Sequence, residues 1–333
     1  MNSGVIDTRS YAAYVVVCIV WGSTYLAIRV GVGELPPALF AGIRFLLAGS
    51  LMMAYVYLKK LKLPETARDI RIIATVGLFL LFGGNGLVVW SEQYLASGIT
   101  ALIISTVPLF VAVLDTLFPG GTPMSWKGWL GMFIGFSGVA LLVSPGNGMH
   151  DADPRGVAGV LAASFVWAAG SVYSSRNRVT GSMLAISALE TLAAGVALTL
   201  TGIAAGELPR FHLTLNGALS MAYLIFFGSI LGYSCFVYII KTMPPSIAST
   251  YSYVNPVVAV ILGALILHEN ITLLEIAASV VILGGVVMVQ TSRFNPPRKE
   301  KVESKKRPDG RCRLADGGSQ EPGARSQNSD RLP

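Results

Sequence analysis

Two ionisable side chains lie inside long apolar runs of the sequence, where a charge is costly. Arg44 is the ninth residue of a run that begins at Pro36, and Glu190 is the ninth residue of a run that begins at Ser182. A charge at the middle of a bilayer costs about 2.5 to 3.5 kcal/mol on insertion scales, so such residues are usually kept for a partner or a function. We predict that Arg44 and Glu190 face a shared interior, where they pair or each binds one end of a zwitterionic solute. A purely structural ion pair is the alternative.

Two further runs each carry aromatic and polar residues on one helical face, because these residues are spaced three or four apart. The two faces are Tyr14, Cys18, Trp21, Tyr25 and Arg29, and Ser164, Trp167, Ser171, Ser174 and Arg178. Aromatic rings enclose organic solutes, and hydroxyl groups bind their polar atoms. We therefore predict solute contacts at Trp21, Tyr25, Trp167 and Ser171. An interfacial aromatic belt and close helix packing at serine are the alternatives.

Amides and prolines complete the candidate site. Asn85, Ser252 and Asn255 lie in apolar runs, where a polar group needs partners, so each braces a neighbouring helix or lines water. Pro108 and Pro256 stand at the centres of two runs, and each removes a backbone donor. We predict helix breaks at both prolines that expose polar backbone to a solute. A kink that only shapes packing is the alternative.

The composition places these residues in a membrane. Hydrophobic residues make up 53% of the 333 residues and charged residues only 13%, unlike a soluble globular domain. A spanning helix needs about 20 apolar residues. Ten such runs predict an all-α polytopic membrane protein with ten transmembrane helices, at residues 11–30, 36–58, 70–90, 97–118, 126–144, 156–175, 182–203, 215–240, 245–267 and 271–291.

The sequence repeats itself at a spacing of 146 to 148 residues. Trp21 aligns with Trp167, and the "GSTY" that begins at Gly22 aligns with the "GSVY" that begins at Gly170. Each copy has five spans, an odd number, so the second copy must cross the membrane in the opposite sense and form an inverted repeat. The predicted organisation is an N-terminal segment at 1–10, a first five-helix repeat at 11–144, a linker at 145–155, a second repeat at 156–291 and a disordered basic tail at 292–333.

Basic residues predict the orientation. With the N-terminus in the cytoplasm, the inside connections hold ten Lys or Arg before the tail is counted, and the outside holds three. Positively charged loops resist translocation, so both termini are expected to be cytoplasmic and the linker external. The tail from Asn295 has ten basic and six acidic residues, which is +4 of the net charge of +7. We expect this tail to lie near anionic lipid headgroups and not to bind nucleic acid.

The sequence gives little support to an enzyme. Its three cysteines are scattered, and its three histidines lie in loops or at the end of a span, without the spacing of metal ligands or a catalytic triad. It has no GxxxxGK[ST] nucleotide-binding motif. We expect no catalytic residue, no cofactor and no metal. An intramembrane enzyme or a lipid-handling protein is the alternative to a carrier of small solutes.

Six segments, in order between about Tyr11 and Thr291, resemble the EamA family of the drug/metabolite transporter superfamily. They are "IVWGSTYLAIRVGV", "PPALFAGIRFLLAG", "SGITALIISTVPLF", "GSVYSSR", "LETLAAGV" and "SYVNPVVAVILG". Within this family, the chain resembles the YedA-like inner-membrane transporters.

The resemblance implies two inverted EamA repeats around a central cavity, in the plasma (inner) membrane. It also implies secondary transport, with export of small metabolites such as amino acids or related organic solutes, and we expect a monomer. It does not name the solute. The sequence departs from the family pattern in its long basic tail. After the ninth run, the chain has His268 and Glu269 at a place where the family commonly carries an acid. The matching place after the fourth run reads "FPGGTP" and has no acid, so the two places are not equivalent in this chain.

Overall fold

The computed structural model describes residues 7–117, 124–142, 153–243, 251–269 and 272–294, and within them it contains helices and no strand. Ten long helices follow one another in these ranges. They are α1 (Thr8–Glu34), α2 (Pro37–Leu58), α3 (Ala67–Ser91), α4 (Ser97–Leu117), α5 (Trp126–Leu142), α6 (Pro154–Arg176), α7 (Met183–Ala204), α8 (consecutive segments Leu215–Tyr223, Leu224–Leu231 and Gly232–Thr242), α9 (Tyr251–Ile266) and α10 (Leu273–Phe294).

Each predicted run corresponds to one of these helices. Eight helices are long and apolar enough to cross a membrane, and α5 and α9 are shorter apolar helices that border residues outside the described ranges. The prediction of an all-α polytopic protein with ten helices is confirmed. The helix ends shift by a few residues where a side chain caps a helix. For example, α3 begins before Ile70 because the Thr66 hydroxyl accepts a hydrogen bond from the backbone N–H of Asp69 at 3.0 Å.

The two halves of the chain exchange their first helices. Helix α1 packs against α8 and α9 of the second half, and α6 packs in the same way against α3 and α4 of the first half. The equivalent helices α2 and α7 pack against each other, as do α5 and α10. This reciprocal packing is what two inverted copies of one five-helix unit require.

One end of the bundle holds the end of α1 and the start of α2, and we call it the Glu34 end. Hydrogen bonds of Asn216, Glu207 and Glu269 tie the second half to the first there. The Asn216 side chain donates to Glu34 at 3.4 Å, and the backbone N–H of Leu39 donates to the Glu207 carboxylate at 2.8 Å. The N–H of Ser97 donates to Glu269 at 2.9 Å.

The opposite end holds the start of α1, and we call it the Thr8 end. The hydroxyl of Ser10 donates to Thr242 at 3.0 Å and joins α1 to α8. Helices α4 and α6 are joined by an ion pair between Asp115 and Arg176, with an N–O distance of 2.9 Å.

Candidate functional site

A polar cluster is buried between α2 and α3. The guanidinium of Arg44 donates from Nη2 to the side-chain oxygen of Asn85 at 2.7 Å, and only 3% of Arg44 is exposed. Its Nε atom has no hydrogen-bond partner in the described part of the chain. Arg44 and Asn85, chosen separately from the sequence, thus form one unit that retains a free cationic donor.

Glu92 also belongs to this cluster, and the sequence reasoning missed it. It follows the last residue of α3, is 0% exposed, and neither carboxylate oxygen has a hydrogen-bond partner among the described residues. Arg29 donates a hydrogen bond to the main-chain carbonyl of Glu92, and Arg44 also acts on its carboxylate electrostatically. Glu92 escaped notice because it lies at the edge of an apolar run, where a carboxylate is normally solvated.

Glu190 does not pair with Arg44, contrary to one of the two roles predicted for this pair. No ion pair joins them, and Glu190 is instead in electrostatic range of Tyr233 on α8. Its backbone is in close contact with Gly77 of α3, where an added Cβ would lie 2.7 Å from the Glu190 Cα. Inverted symmetry explains the separation, because it places Arg44 seven residues from the Glu34 end of α2 and Glu190 seven residues from the Thr8 end of α7.

Two π-helical segments occupy equivalent positions in the two halves. One spans Leu78–Asn85 in α3 and the other spans Leu224–Leu231 in α8, and they are separated by the 146 residues of the sequence repeat. A π-helical segment widens the helix and leaves carbonyl groups available to other donors, and such segments are frequent at functional sites. Asn85, the partner of Arg44, is the last residue of the first segment.

A tryptophan from the other half packs on each π segment. Trp21 of α1 donates from Nε1 to the carbonyl of Gly228 at 3.2 Å and contacts Phe236 and Tyr251, with ring centroids 4.9 and 5.3 Å apart. Trp167 of α6 packs on Gly84, where an added Cβ would lie 2.8 Å from its ring. The two tryptophans that the sequence repeat aligned are therefore structural equivalents at the interface of the halves.

The two prolines behave differently. Helix α4 is interrupted at Ser105 and Thr106, directly before Pro108, and the hydroxyls of these residues donate to the carbonyls of Leu102 and Ile103 at 2.6 and 2.7 Å. Helix α9 runs without interruption through Pro256, so the predicted break is not found there. Pro256 is buried, and close packing of α1 against α9 holds that helix together.

The remaining predicted site residues have different surroundings, and Asn255 is the one whose side chain joins two helices in the described part of the chain. The amide of Asn255, with its nitrogen toward α1, donates to the carbonyls of Tyr251 and Cys18 at 3.0 and 3.2 Å. Ser171 donates to the carbonyl of Trp167 at 2.9 Å, within α6. Tyr25 packs against the apolar core at the Glu34 end. The side chain of Ser252 lies outside the described residues.

Two acidic residues of the second half cap helices of the first, and neither was predicted. Glu207 accepts from the backbone N–H groups of Ala38 and Leu39 at the start of α2. Glu269 accepts from Ser97 and Gly98 at the start of α4. A carboxylate at a helix N-terminus is stabilised by the helix dipole. Of these two acids, only Glu269 could have been noticed in the sequence, because it follows α9 at a place where the family commonly carries an acid.

Arg44 and Glu92 are buried in this conformation, whereas Asn85 is partly exposed. The structure shows a cavity of about 40 Å³ beside Glu269 and Glu275, and a depression of about 170 Å³ at the Glu34 end lined by Glu34, Gln93 and Arg210. Neither is lined by Arg44 or Glu92. Among the described residues, no group of three His, Cys, Asp or Glu could hold a metal ion. The charged and polar groups of the cluster are the Arg44 guanidinium, the Asn85 amide and the Glu92 carboxyl group.

Comparison with known proteins identifies what this arrangement resembles. The model of the EamA-like transporter family matches the chain twice, at residues 8–144 and 154–291. "Uncharacterized inner membrane transporter YedA" of Escherichia coli (strain K12) is 41% identical over 88% of this chain and 94% of its own length. "Uncharacterized transporter YvbV" of Bacillus subtilis (strain 168) is 26% identical over 85% and 92%, respectively.

Two further matches are more distant. "Probable amino-acid metabolite efflux pump" of Salmonella typhimurium (strain LT2) is 26% identical over 81% of this chain and 91% of its own. A crystal structure of another protein has the same fold, with a TM-score of 0.59 and 19% identity over 86% of this chain and 98% of that one.

Proposed function

Because this chain belongs to the EamA-like transporter family, we propose that it is a secondary transporter that exports small metabolites, such as amino acids or related organic solutes, by alternating access. The observation that carries the proposal is the buried cluster of Arg44, Asn85 and Glu92 inside a bundle whose halves exchange helices. A guanidinium with an unused donor suits the carboxylate of such a solute. The name of the 26% identical Salmonella relative agrees with this solute class.

The proposal includes an orientation and a domain organisation. Segment 1–10 and tail 292–333 are cytoplasmic, linker 145–155 is external, and the two repeats at 11–144 and 156–291 lie in the inner membrane. In this orientation the Glu34 end faces outward, and the conformation described is closed on that side. Rocking of one half against the other opens each end in turn.

Counterflow in liposomes tests this function. Liposomes containing the purified full-length protein are loaded with an unlabelled amino acid, and uptake of the same labelled amino acid is measured, for a panel of amino acids. We expect saturable counterflow for at least one of them and a loss of at least about tenfold in Arg44→Gln, since removing the charged partner of a carboxylate costs about 1.5 to 3 kcal/mol.

Arg155→Gln is the matched control, because Arg155 is an exposed arginine beside Asp153 and lies outside the cluster. It should transport like the wild-type protein. Absence of counterflow for the whole panel would contradict the proposed solute class. Conversion of an added compound into a product would instead indicate an enzyme.

A further inference from the structure

Glu92 is the one acidic side chain in the described residues that is fully buried with both carboxylate oxygens lacking a hydrogen-bond partner. Two other acids at the Glu34 end, the buried Glu207 and the partly buried Glu269, each accept hydrogen bonds from backbone N–H groups. A carboxylate that is buried without hydrogen bonds is strongly disfavoured in its ionised form. The neutral acid avoids most of this penalty.

The charged and titratable groups around Glu92 come from several elements. Helix α1 contributes Arg29 and Tyr25, α2 contributes Arg44, and the segment after α9 contributes Glu269. Helix α6 places Gly159 beside the adjacent Ser91. The two arginines favour the carboxylate, but Arg29 donates a hydrogen bond to the main-chain carbonyl of Glu92 and Arg44 donates to Asn85.

Burial has the larger effect on Glu92. It raises the pKa of this carboxyl group well above its ordinary value, Arg29 and Arg44 lower it, and Glu269 adds to the increase. A depression lined by Gln93, the next residue in the chain, opens at the same end of the bundle.

We propose that Glu92 is a proton-binding site that is occupied while the Glu34 end of the bundle is closed. Closing this end moves one proton from the adjacent aqueous phase onto a carboxylate oxygen of Glu92. Opening breaks that O–H bond and returns the proton to water, and Arg29 and Arg44 then face an ionised carboxylate. The inference rests on the proposed alternating access, because it links one of the two access states to pH.

The direction of the pH effect follows from linkage. The closed state binds the proton more tightly than the open state, so lower pH favours closure. As the pH rises between the open-state and closed-state pKa values, the ratio of closed to open molecules falls about tenfold per pH unit. The Glu92→Gln variant mimics the neutral acid and should remain closed at every pH.

Infrared spectroscopy tests the bound proton in the purified full-length protein. We expect the absorption of a protonated carboxyl group near neutral pH, part of which disappears in Glu92→Gln. Glu34→Gln is the control, because Glu34 is an exposed carboxylate at the same end and should not contribute to this band. An identical band in the wild type and in Glu92→Gln would overturn the proposal.

Cysteine labelling tests the link to opening. Ser91 is buried next to Glu92, so a Ser91→Cys substitution, with Cys18, Cys235 and Cys312 replaced by alanine, reports access of a water-soluble maleimide to this end. After correction for thiol reactivity, labelling should rise at least about tenfold from about pH 5 to about pH 8. With Glu92→Gln it should remain low, and with Glu92→Asp, which retains a titratable group, the rise should persist.

Labelling that does not change with pH, or that changes equally in the Glu92→Gln variant, would overturn the proposed link between the protonation of Glu92 and closure of the Glu34 end. Thermal unfolding of each variant shows whether it is folded. Neither readout uses a solute, so a protein that transports none of the panel but shows this pH response would contradict the proposed function and leave the proton site intact.

Discussion

Trp21 and Trp167 are equivalent residues of the two repeats, but their contacts differ. Each half-buried indole packs on a π segment of the opposite half, but only Trp21 donates a hydrogen bond from Nε1, to Gly228, among the described residues. The π geometry provides the carbonyl that accepts this bond. The interface between the halves is therefore held more firmly at the α1–α8 contact than at its equivalent.

Trp21→Phe should lower stability more than Trp167→Phe. Both changes replace an indole with a smaller ring, but only the first removes a hydrogen bond, whose net contribution is about 0.5 to 1.5 kcal/mol. We expect the melting temperature of Trp21→Phe in detergent to fall a few degrees below that of Trp167→Phe. Equal melting temperatures would show that the bond to Gly228 contributes nothing.

Among the helices, α5 and α10 cross with their backbones in close contact. An added Cβ on Gly285 would lie 2.6 Å from the Cα of Gly135 and would also overlap the backbone of Gly131. The neighbouring Gly284 has nothing within 4 Å of such a Cβ. The spacing of Gly131 and Gly135, a weak signal in a glycine-rich sequence, therefore reflects close packing within one chain.

Gly285→Ala and Gly284→Ala are a matched pair that differ only in this contact. Overpacking at position 285 should cost about 1 to 3 kcal/mol, because backbone on the other side cannot move aside as a side chain does. At position 284, alanine should be neutral or stabilising by up to about 1 kcal/mol, from its higher helix propensity. Thermal unfolding of the purified variants measures the difference, and a stable Gly285→Ala would mean that α5 and α10 are further apart than described.

For the whole molecule, the closed Glu34 end depends on contacts that cross from the second half to the first. Glu207 and Glu269 provide these contacts by capping α2 and α4, and each charge-assisted hydrogen bond contributes about 1.5 to 3 kcal/mol. The opposite end is joined by different groups, including the ion pair of Asp115 and Arg176. The two ends can therefore be weakened independently.

Glu207→Ala should shift the molecule toward opening at the Glu34 end. The Ser91→Cys labelling assay should then show at least about a tenfold faster reaction at one pH, the factor that corresponds to about 1.4 kcal/mol. Glu275→Ala is the control, because Glu275 accepts a hydrogen bond from Thr272 at the start of its own helix and its loss leaves the contact between halves intact. Faster labelling in both variants would indicate that the protein is generally destabilised, and not that Glu207 holds the Glu34 end closed.

The membrane class, the ten helices and the doubled architecture could all be predicted from the amino-acid sequence, because apolar runs of spanning length and a repeat of 146 residues are properties of the chain alone. The sequence also selected Arg44 and Asn85, since a polar group in an apolar run is conspicuous without coordinates. Inverted symmetry determines which equivalent residues meet, and the sequence alignment does not show this. It therefore suggested a pair between Arg44 and Glu190 that the structure does not form.

The surroundings of the individual site residues could be learned only from the way the helices pack. Pro108 and Pro256 look alike in sequence, but packing against α1 keeps α9 continuous, whereas hydroxyls at Ser105 and Thr106 allow α4 to break. Glu92, at the edge of a run, reads as a solvated residue until α1 and α2 are seen to bury it. Burial and electrostatics depend on what neighbouring helices place around a residue, and residues far apart in the chain supply those neighbours.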